Sequence, residues 1–227
     1  MIRLGDKFRL FQNNTKIYRK ILDQYKNNII GIDHIAFRSL YKNSNRFDNN
    51  FIIQKEEYNF QEYNVKANWY KNRDDNKLFN RIFNSYYLPD DWNRLSMIMS
   101  LENYNFGDLY TYSDYQHIHK ENQYVAWTMI HRNSINHVAL EVDNIEKLVE
   151  KMSKDGYTFN TSNNEILNVS SDKKLIQAST TSCQFKYYFK DGYHDVPYTF
   201  VEFVQRIDGR EGFAESNANK IMHTTKK

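Results

Sequence analysis

Residues Ile32-Asp33-His34-Ile35-Ala36-Phe37 and Ile135-Asn136-His137-Val138-Ala139-Leu140 repeat one pattern: apolar, Asp or Asn, His, β-branched, Ala, apolar. The second copy starts about 103 positions after the first. Both stretches are short and rich in β-branched residues, and the first follows Gly31, so each reads as a strand. Each also opens a β-α-β-β-β order of elements, the mark of a duplicated module with a histidine at the same point of both copies.

Working outward, residues 7–28 carry Phe8, Leu10, Phe11, Ile17, Ile21, Leu22 and Tyr25 at helical spacing. A short helix is expected at 46–57, with strands at 63–70 and 79–88. Two polar helical stretches, at about 90–103 and 111–125, form a connecting layer. In the second half Asp143 is a suitable N-cap for the amphipathic run 145–152, and Gly156 ends that helix. Strands follow near 157–160, 165–169, 174–179, 183–190 and 197–206, with Asp191-Gly192 as a hairpin turn between the last two. A final helix covers about 213–222. The expected organisation is one domain over 1–227. Module one spans about 28–90, a helical connector about 90–130, and module two about 131–227.

Composition narrows the class. Aromatic residues make up 16% of the 227 positions, as in a packed globular chain rather than a disordered one. A formal charge of +3, with Lys and Arg dispersed, is too mild for a nucleic-acid partner and compatible with a small anionic one. The single cysteine, Cys183, permits no intrachain disulfide and no zinc finger. No stretch approaches the roughly 20 apolar residues of a membrane span, and the N-terminus lacks a signal-type apolar run. These features point to a cytoplasmic protein.

Strand alternation places His34, Ala36 and Arg38 on one face, His137 and Ala139 on one face, and Glu202, Val204 and Arg206 on one face of the last strand. Burying a lone carboxylate among apolar residues costs several kcal/mol unless it is neutralised. Two imidazoles and a carboxylate converging from three strands are neutralised by a divalent metal. That donor set, the two-His-one-carboxylate facial triad, suits Fe(II) and leaves positions open. A plainer reading stands beside it, in which the histidines are hydrogen-bonded core residues, Glu202 pairs with Arg206 or Arg38, and Arg38 pairs with Asp33 or another acid. His117, His119, His131, His194 and His223 lie in polar or loop-like contexts and are expected to be solvated.

In order along the chain, GIDHIAFRSL, ENQYVAWTMI, INHVALEV, LIQASTT, VPYTFVEFVQR and EGFAESNANKI resemble the motifs of the 2-oxoadipate dioxygenase/decarboxylase family, particularly its shorter plant-type members. The resemblance is dense over about 121–222, clear at 31–40 and fainter at 61–88. It implies an α+β fold of the vicinal oxygen chelate superfamily: paired βαβββ modules in a curled, barrel-like sheet around a metal, with flanking helices. It implies His34, His137 and Glu202 as Fe(II) ligands and Arg38 as the contact for a substrate carboxylate. The implied reaction converts 2-oxoadipate and molecular oxygen to 2-hydroxyglutarate and carbon dioxide, in lysine breakdown.

A guanidinium binds carboxylates in bidentate fashion, which favours Arg38 as clamp, with Arg206 as second candidate. Gln177 and Ser179 share a face of a neighbouring strand and either line the pocket or bond within the sheet. Phe213 and Asn217 lie on the helix expected to close the site. One departure is Tyr86, standing where plant-type members have an acidic residue. The alternatives are a metal-dependent relative acting on another 2-oxo acid, a superfamily isomerase or lyase with a fourth protein ligand, and a non-catalytic binding protein on the same fold.

Overall fold

The computed structural model describes residues 16–39, 52–60, 65–72, 95–101, 109–131, 134–212, 214 and 217. An eight-stranded mixed sheet is built around the two repeated strands. β1 (Ile29–Ser39) and β5 (Ser134–Val142) pair antiparallel at its centre. On the β1 side follow β4 (Leu95–Leu101), β3 (Val65–Asn72) and β2 (Ile52–Phe60). On the β5 side follow β10 (Val201–Arg206), β7 (Leu175–Ser179) and β6 (Asn168–Val169). The two sides obey one rule. The first strand of each module runs parallel to its last, β1 with β4 and β5 with β10, and the remaining pairs are antiparallel. Module two also carries a hairpin, β8 (Cys183–Phe189) and β9 (Gly192–Thr199). Among the described residues the sheet is open: its edge strands, β2 and β6, are not paired with each other.

Two helices cover one face. α1 (Lys16–Tyr25) contributes Tyr18, Ile21 and Tyr25. α4 (Ile145–Lys154) contributes Ile145, Leu148, Val149 and Met152, the i, i+3, i+4, i+7 set of an amphipathic helix. They bury Ile32, Val138, Leu140, Val142, Val201 and Phe203. Asn144, one residue beyond the expected Asp143, caps α4 by accepting from the Lys147 amide at 3.0 Å. Gly156, at φ 88°, ends it, with Gly156 N–H bonding Ser153 O and Tyr157 N–H bonding Met152 O. Between the modules stand α2 (Tyr112–Glu121), opened by a Thr111/Asp114 capping box, and the largely buried α3 (Gln123–His131).

Several expectations need correction. Residues 52–57 are strand, not helix; their Lys-Glu-Glu run has helical character, but an edge strand tolerates charge. Leu95-Ser-Met-Ile-Met-Ser-Leu101 is also a strand, hydrogen-bonded on both sides. Its Leu and Met residues favour helix, and tertiary pairing overrides that preference. Around 157–160 only a single bridge, Phe159 to Thr180, forms. The expected strand 197–206 divides at Phe200, whose carbonyl is taken up by the Tyr18 hydroxyl. The strand expected at 79–88, Tyr86, and the final helix apart from Ala214 and Asn217 lie outside the described residues. Among those residues, no helix is long and apolar enough to cross a membrane.

Candidate active site

Both repeated strands carry a bulge at the residue before the histidine. In the β1–β5 pairing, Ile32 stands opposite Leu140 and His34 opposite Ala139, so Asp33 is the extra residue. Ala36 stands opposite His137 and Phe37 opposite Ile135, so Asn136 is the extra residue on β5. A bulge switches the face of the residues after it. Ile32 and Ile135 therefore enter the helix-covered core, while His34 and His137 point to the opposite face. Each histidine faces the other module's alanine, and Ala36 and Ala139 are buried and small enough to leave space above them.

Glu202 joins from the far side of β5. It stands opposite Ala139, as His34 does, and Ser179 on β7 continues the row. His34 Nε2 lies 3.8 Å and His137 Nε2 2.8 Å from Glu202 Oε2. The three donor atoms lie within 4.8 Å of one another, and all three residues are buried. The imidazole orientations are held from behind. His34 Nδ1 meets Asp33 Oδ1 at 2.7 Å, and His137 Nδ1 meets Asn136 Oδ1 at 2.9 Å. An Nδ1–H donating to those oxygens leaves Nε2 as the lone-pair nitrogen of each neutral ring.

Asp33 is fixed in turn by Arg206, whose Nε and Nη2 reach its carboxylate at 2.5 and 3.0 Å. Burial pushes the Asp33 carboxyl upward, but the His34 bond and the Arg206 charge outweigh it and hold the group well below the usual carboxylate range. Burial also pushes Glu202 up and is outweighed by His137, His34 and the Gln177 amide, so its carboxyl stays ionised. Burial holds the His137 pKa below the ordinary value, favouring the neutral ring.

With its proton on Nδ1, neutral His137 would turn a lone pair on the anionic Glu202 oxygen 2.8 Å away; a proton on Nε2 makes the same contact a hydrogen bond. A cation among the three donors removes the repulsion of the first form. Two imidazoles and one carboxylate, with positions left for other ligands, fit Fe(II).

Arg38 lies further along the same face of β1. It is buried, its guanidinium 4.9 Å from the Tyr124 ring centre and 5.2 Å from that of Trp127, and its Nε has no hydrogen-bond partner among the described residues. Burial lowers its pKa to about 10, which leaves it charged at neutral pH. No carboxylate pairs with it among the described residues. It lines a cavity of about 340 Å³ with Trp127, Asn136, Asn160, Tyr198 and Phe200. The metal-directed side chains do not themselves line this space. Its link to them is Asn136, which holds His137, and Phe200, stacked on His137 with ring centres 4.4 Å apart.

The structure thus brings His34, His137 and Glu202 together and puts Arg38 beside them. Gln177 is turned to Glu202, donating to Oε1 at 2.6 Å, and Ser179 accepts from Asn160 at 3.2 Å. Arg206 is bound to Asp33 and to the carbonyls of Arg210 and Gly212. Asn217 is buried on the face that carries Glu202, bonded to the Asn168 carbonyl and to Gln177, and Ala214 packs with Ala139 and Val204 on that face. Phe213 lies outside the described residues. His131 is not solvated: it sits among Trp127, Phe185 and Tyr198 and bonds the Pro197 carbonyl. His119 lines the cavity and His194 stacks on Tyr112, while His117 is exposed, as expected. Sequence reasoning offers Asp33 only as a partner for Arg38, whereas it pairs with Arg206, and gives Asn136 no role, although the repeated Asp/Asn before each histidine is the signal for both.

The family model for 2-oxoadipate dioxygenase/decarboxylase matches residues 95–215, more than half of the chain. The chain belongs to this family. The 2-oxoadipate dioxygenase/decarboxylase of Oryza sativa subsp. japonica, named as chloroplastic/amyloplastic, is 29% identical over 138 residues, 50% of this chain and 38% of the relative. The chloroplastic one of Arabidopsis thaliana is 28% identical over 137 residues, 50% of this chain and 37% of the relative. These matches thus span well under half the length of the curated family members.

Among solved structures, Oryza sativa hydroxyglutarate synthase in complex with 2-oxoadipate shares the fold, with TM-score 0.75, 22% identity, and coverage of 98% of this chain and 89% of that one. A protein of Ralstonia eutropha JMP134 assigned to the glyoxalase superfamily follows at TM-score 0.68 and 14% identity, covering 92% of this chain and 83% of that one. The fold is the α+β vicinal oxygen chelate type that the family motifs implied. His34 and Arg38 fall before the family-model segment.

Proposed function

We propose that this protein is an Fe(II)-dependent cytoplasmic oxygenase that decarboxylates a 2-oxo acid, converting 2-oxoadipate and oxygen to 2-hydroxyglutarate and carbon dioxide. The observation that carries this reading is the set of three buried donors, His34, His137 and Glu202, beside a cavity whose wall holds Arg38, a buried cation with no carboxylate partner among the described residues. The relatives' names support the substrate, since both curated proteins are named for 2-oxoadipate. In this reading the open sheet curls around the site and serves as a mould for it.

Bound iron would supply a centre where a 2-oxo acid and oxygen meet and would relay electrons from the acid to oxygen, whose two atoms enter the new carboxylate and the 2-hydroxyl as one carbon–carbon and one carbon–hydrogen bond break. The remaining work belongs to the chain. Asp33 and Asn136 keep the lone pair of each imidazole turned inward. Arg38, buried and with no carboxylate partner among the described residues, takes the distal carboxylate of the diacid, which fixes the reacting end at the triad. Tyr124 and Trp127 hold the guanidinium plane. Phe200 and the buried strand face limit water at His137. Arg206, given its bonds, supports Asp33, and Gln177 supports Glu202; Ser179 stays a pocket-side candidate through Asn160.

The test is anaerobic reconstitution with Fe(II), followed by oxygen uptake and carbon dioxide release across a panel of 2-oxo acids. The expected result is turnover with 2-oxoadipate ahead of monocarboxylic 2-oxo acids. Turnover only with a different 2-oxo acid moves the substrate and keeps the chemistry. No uptake with any of them leaves a binding protein on an oxygenase fold.

A further inference from the structure

The two oxygens of Glu202 have different surroundings. Oε2 faces both imidazoles, at 2.8 and 3.8 Å, whereas Oε1 accepts a 2.6 Å bond from Gln177 Nε2. Which end of the Gln177 amide meets Glu202 is decided one step further away. Asn217 Nδ2 points at the backbone carbonyls of Asn168 and Leu175, at 3.0 and 3.4 Å, and carbonyls only accept, so this atom is the NH2. The same NH2 lies 3.0 Å from Gln177 Oε1. Gln177 therefore presents its oxygen to Asn217 and its NH2 to Glu202. All three side chains are buried, so water does not compete for these bonds.

We infer that Gln177, oriented by Asn217, is a positioning residue that limits Glu202 to one oxygen toward the metal. The inference rests on the oxygenase reading and deepens it. An octahedral ion held by three single-atom protein donors keeps three positions for small molecules. A 2-oxo acid bound through its keto and carboxylate oxygens fills two, and oxygen needs the third. If Glu202 gave both oxygens, the third position would be lost. A buried carboxylate oxygen without its donor is costly, and a neighbouring cation is its nearest remedy. Gln177 removes that incentive by satisfying Oε1 in advance.

Manganese(II) serves as probe, because water-proton relaxivity of the loaded protein counts its exchangeable inner-sphere waters. The variants are Gln177→Met, which keeps the volume without the donor, and Asn217→Leu, which releases the amide from its orientation. Thermal melts establish that each is folded, and the second variant carries the test if the first does not fold. The expected result is one fewer exchangeable water than in the unaltered protein, with manganese affinity equal or higher. A merely structural role for Gln177 forecasts the reverse: weaker manganese binding with the water count unchanged, and that result overturns the inference. If the unaltered protein binds no manganese and no Fe(II), the oxygenase reading falls and the inference falls with it. Normal metal binding with an unchanged count in folded variants sinks the inference alone.

Discussion

The rings of His34 and His137 meet edge to face across the central strand pair, their centres 5.5 Å apart and their planes at 77°. Neighbouring antiparallel strands bring the two duplicated motifs together, and the bulges at Asp33 and Asn136 turn both rings to the same side. The duplication is not fully symmetric. His34 is held by a carboxylate that needs Arg206, and His137 by a neutral amide that needs no counter-charge.

That asymmetry is testable by a double-mutant cycle. Arg206→Met leaves the buried Asp33 carboxylate unpaired and should destabilise the fold by about 3–5 kcal/mol. Asp33→Asn copies the arrangement of module two, so Asp33→Asn combined with Arg206→Met should recover much of that loss. Denaturant melts of the four proteins check it. Equal losses in the single and the double variant would mean that Arg206 acts through Arg210 and Gly212 instead.

Asp33→Ala and Asn136→Ala should each weaken metal binding by about 10–100-fold, the range found when a partner orienting a ligand histidine is removed. Titration of the apo variants with Fe(II) or Co(II) gives the comparison. Unchanged affinity in both would show that the imidazoles hold their orientation without these partners.

Glu202→Ala separates two accounts of the same carboxylate. If Glu202 is a metal ligand, the variant should lose bound metal while its fold persists, because the core under α1 and α4 does not involve it. If Glu202 is only an ion-pair partner, metal content should be unchanged and stability should drop. Metal analysis and a thermal melt on one sample distinguish them.

Arg38→Lys should raise the apparent KM for 2-oxoadipate by about 10–100-fold, in line with roughly 1.5–3 kcal/mol for a charge-assisted bond, with less effect on kcat. Its KM for a monocarboxylic 2-oxo acid should move little. A uniform rise for both substrates would take the carboxylate clamp away from Arg38.

His131 should make the fold acid-sensitive. Burial, only partly offset by the Pro197 carbonyl, pushes its pKa from 6.5 to about 4. The Nε2–H donates to that carbonyl, and the second proton would have to enter at Nδ1, within the ring cluster of Trp127, Phe185 and Tyr198. The unfolded chain therefore binds a proton that the folded chain refuses between those two pH values. The stabilisation is complete above about 6.5 and declines as pH falls through that window. Urea midpoints from pH 7 to pH 4 should show a steeper decline in the unaltered protein than in His131→Gln.

The duplication, its two histidines, the lone carboxylate Glu202 on the last strand and Arg38 on the face of His34 are all readable from residue order. Each of these is a local pattern: alternation along a strand, or one polar residue in an apolar run. The amphipathic run at 145–152 is legible for the same reason, and the helix continues to Lys154. The other features depend on which strands pair. Leu95–Leu101 becomes a strand because β1 and β3 flank it, whatever its helical preference. Asp33 and Asn136 become bulge residues because of the register between two strands about 100 positions apart. Arg206 turns to Asp33 and Gln177 to Glu202 because parallel pairing lays β10 beside β5 and antiparallel pairing lays β7 beside β10. Hydrogen-bond partners of buried polar groups depend on which strands become neighbours, and the spacing of residues along the chain does not specify that.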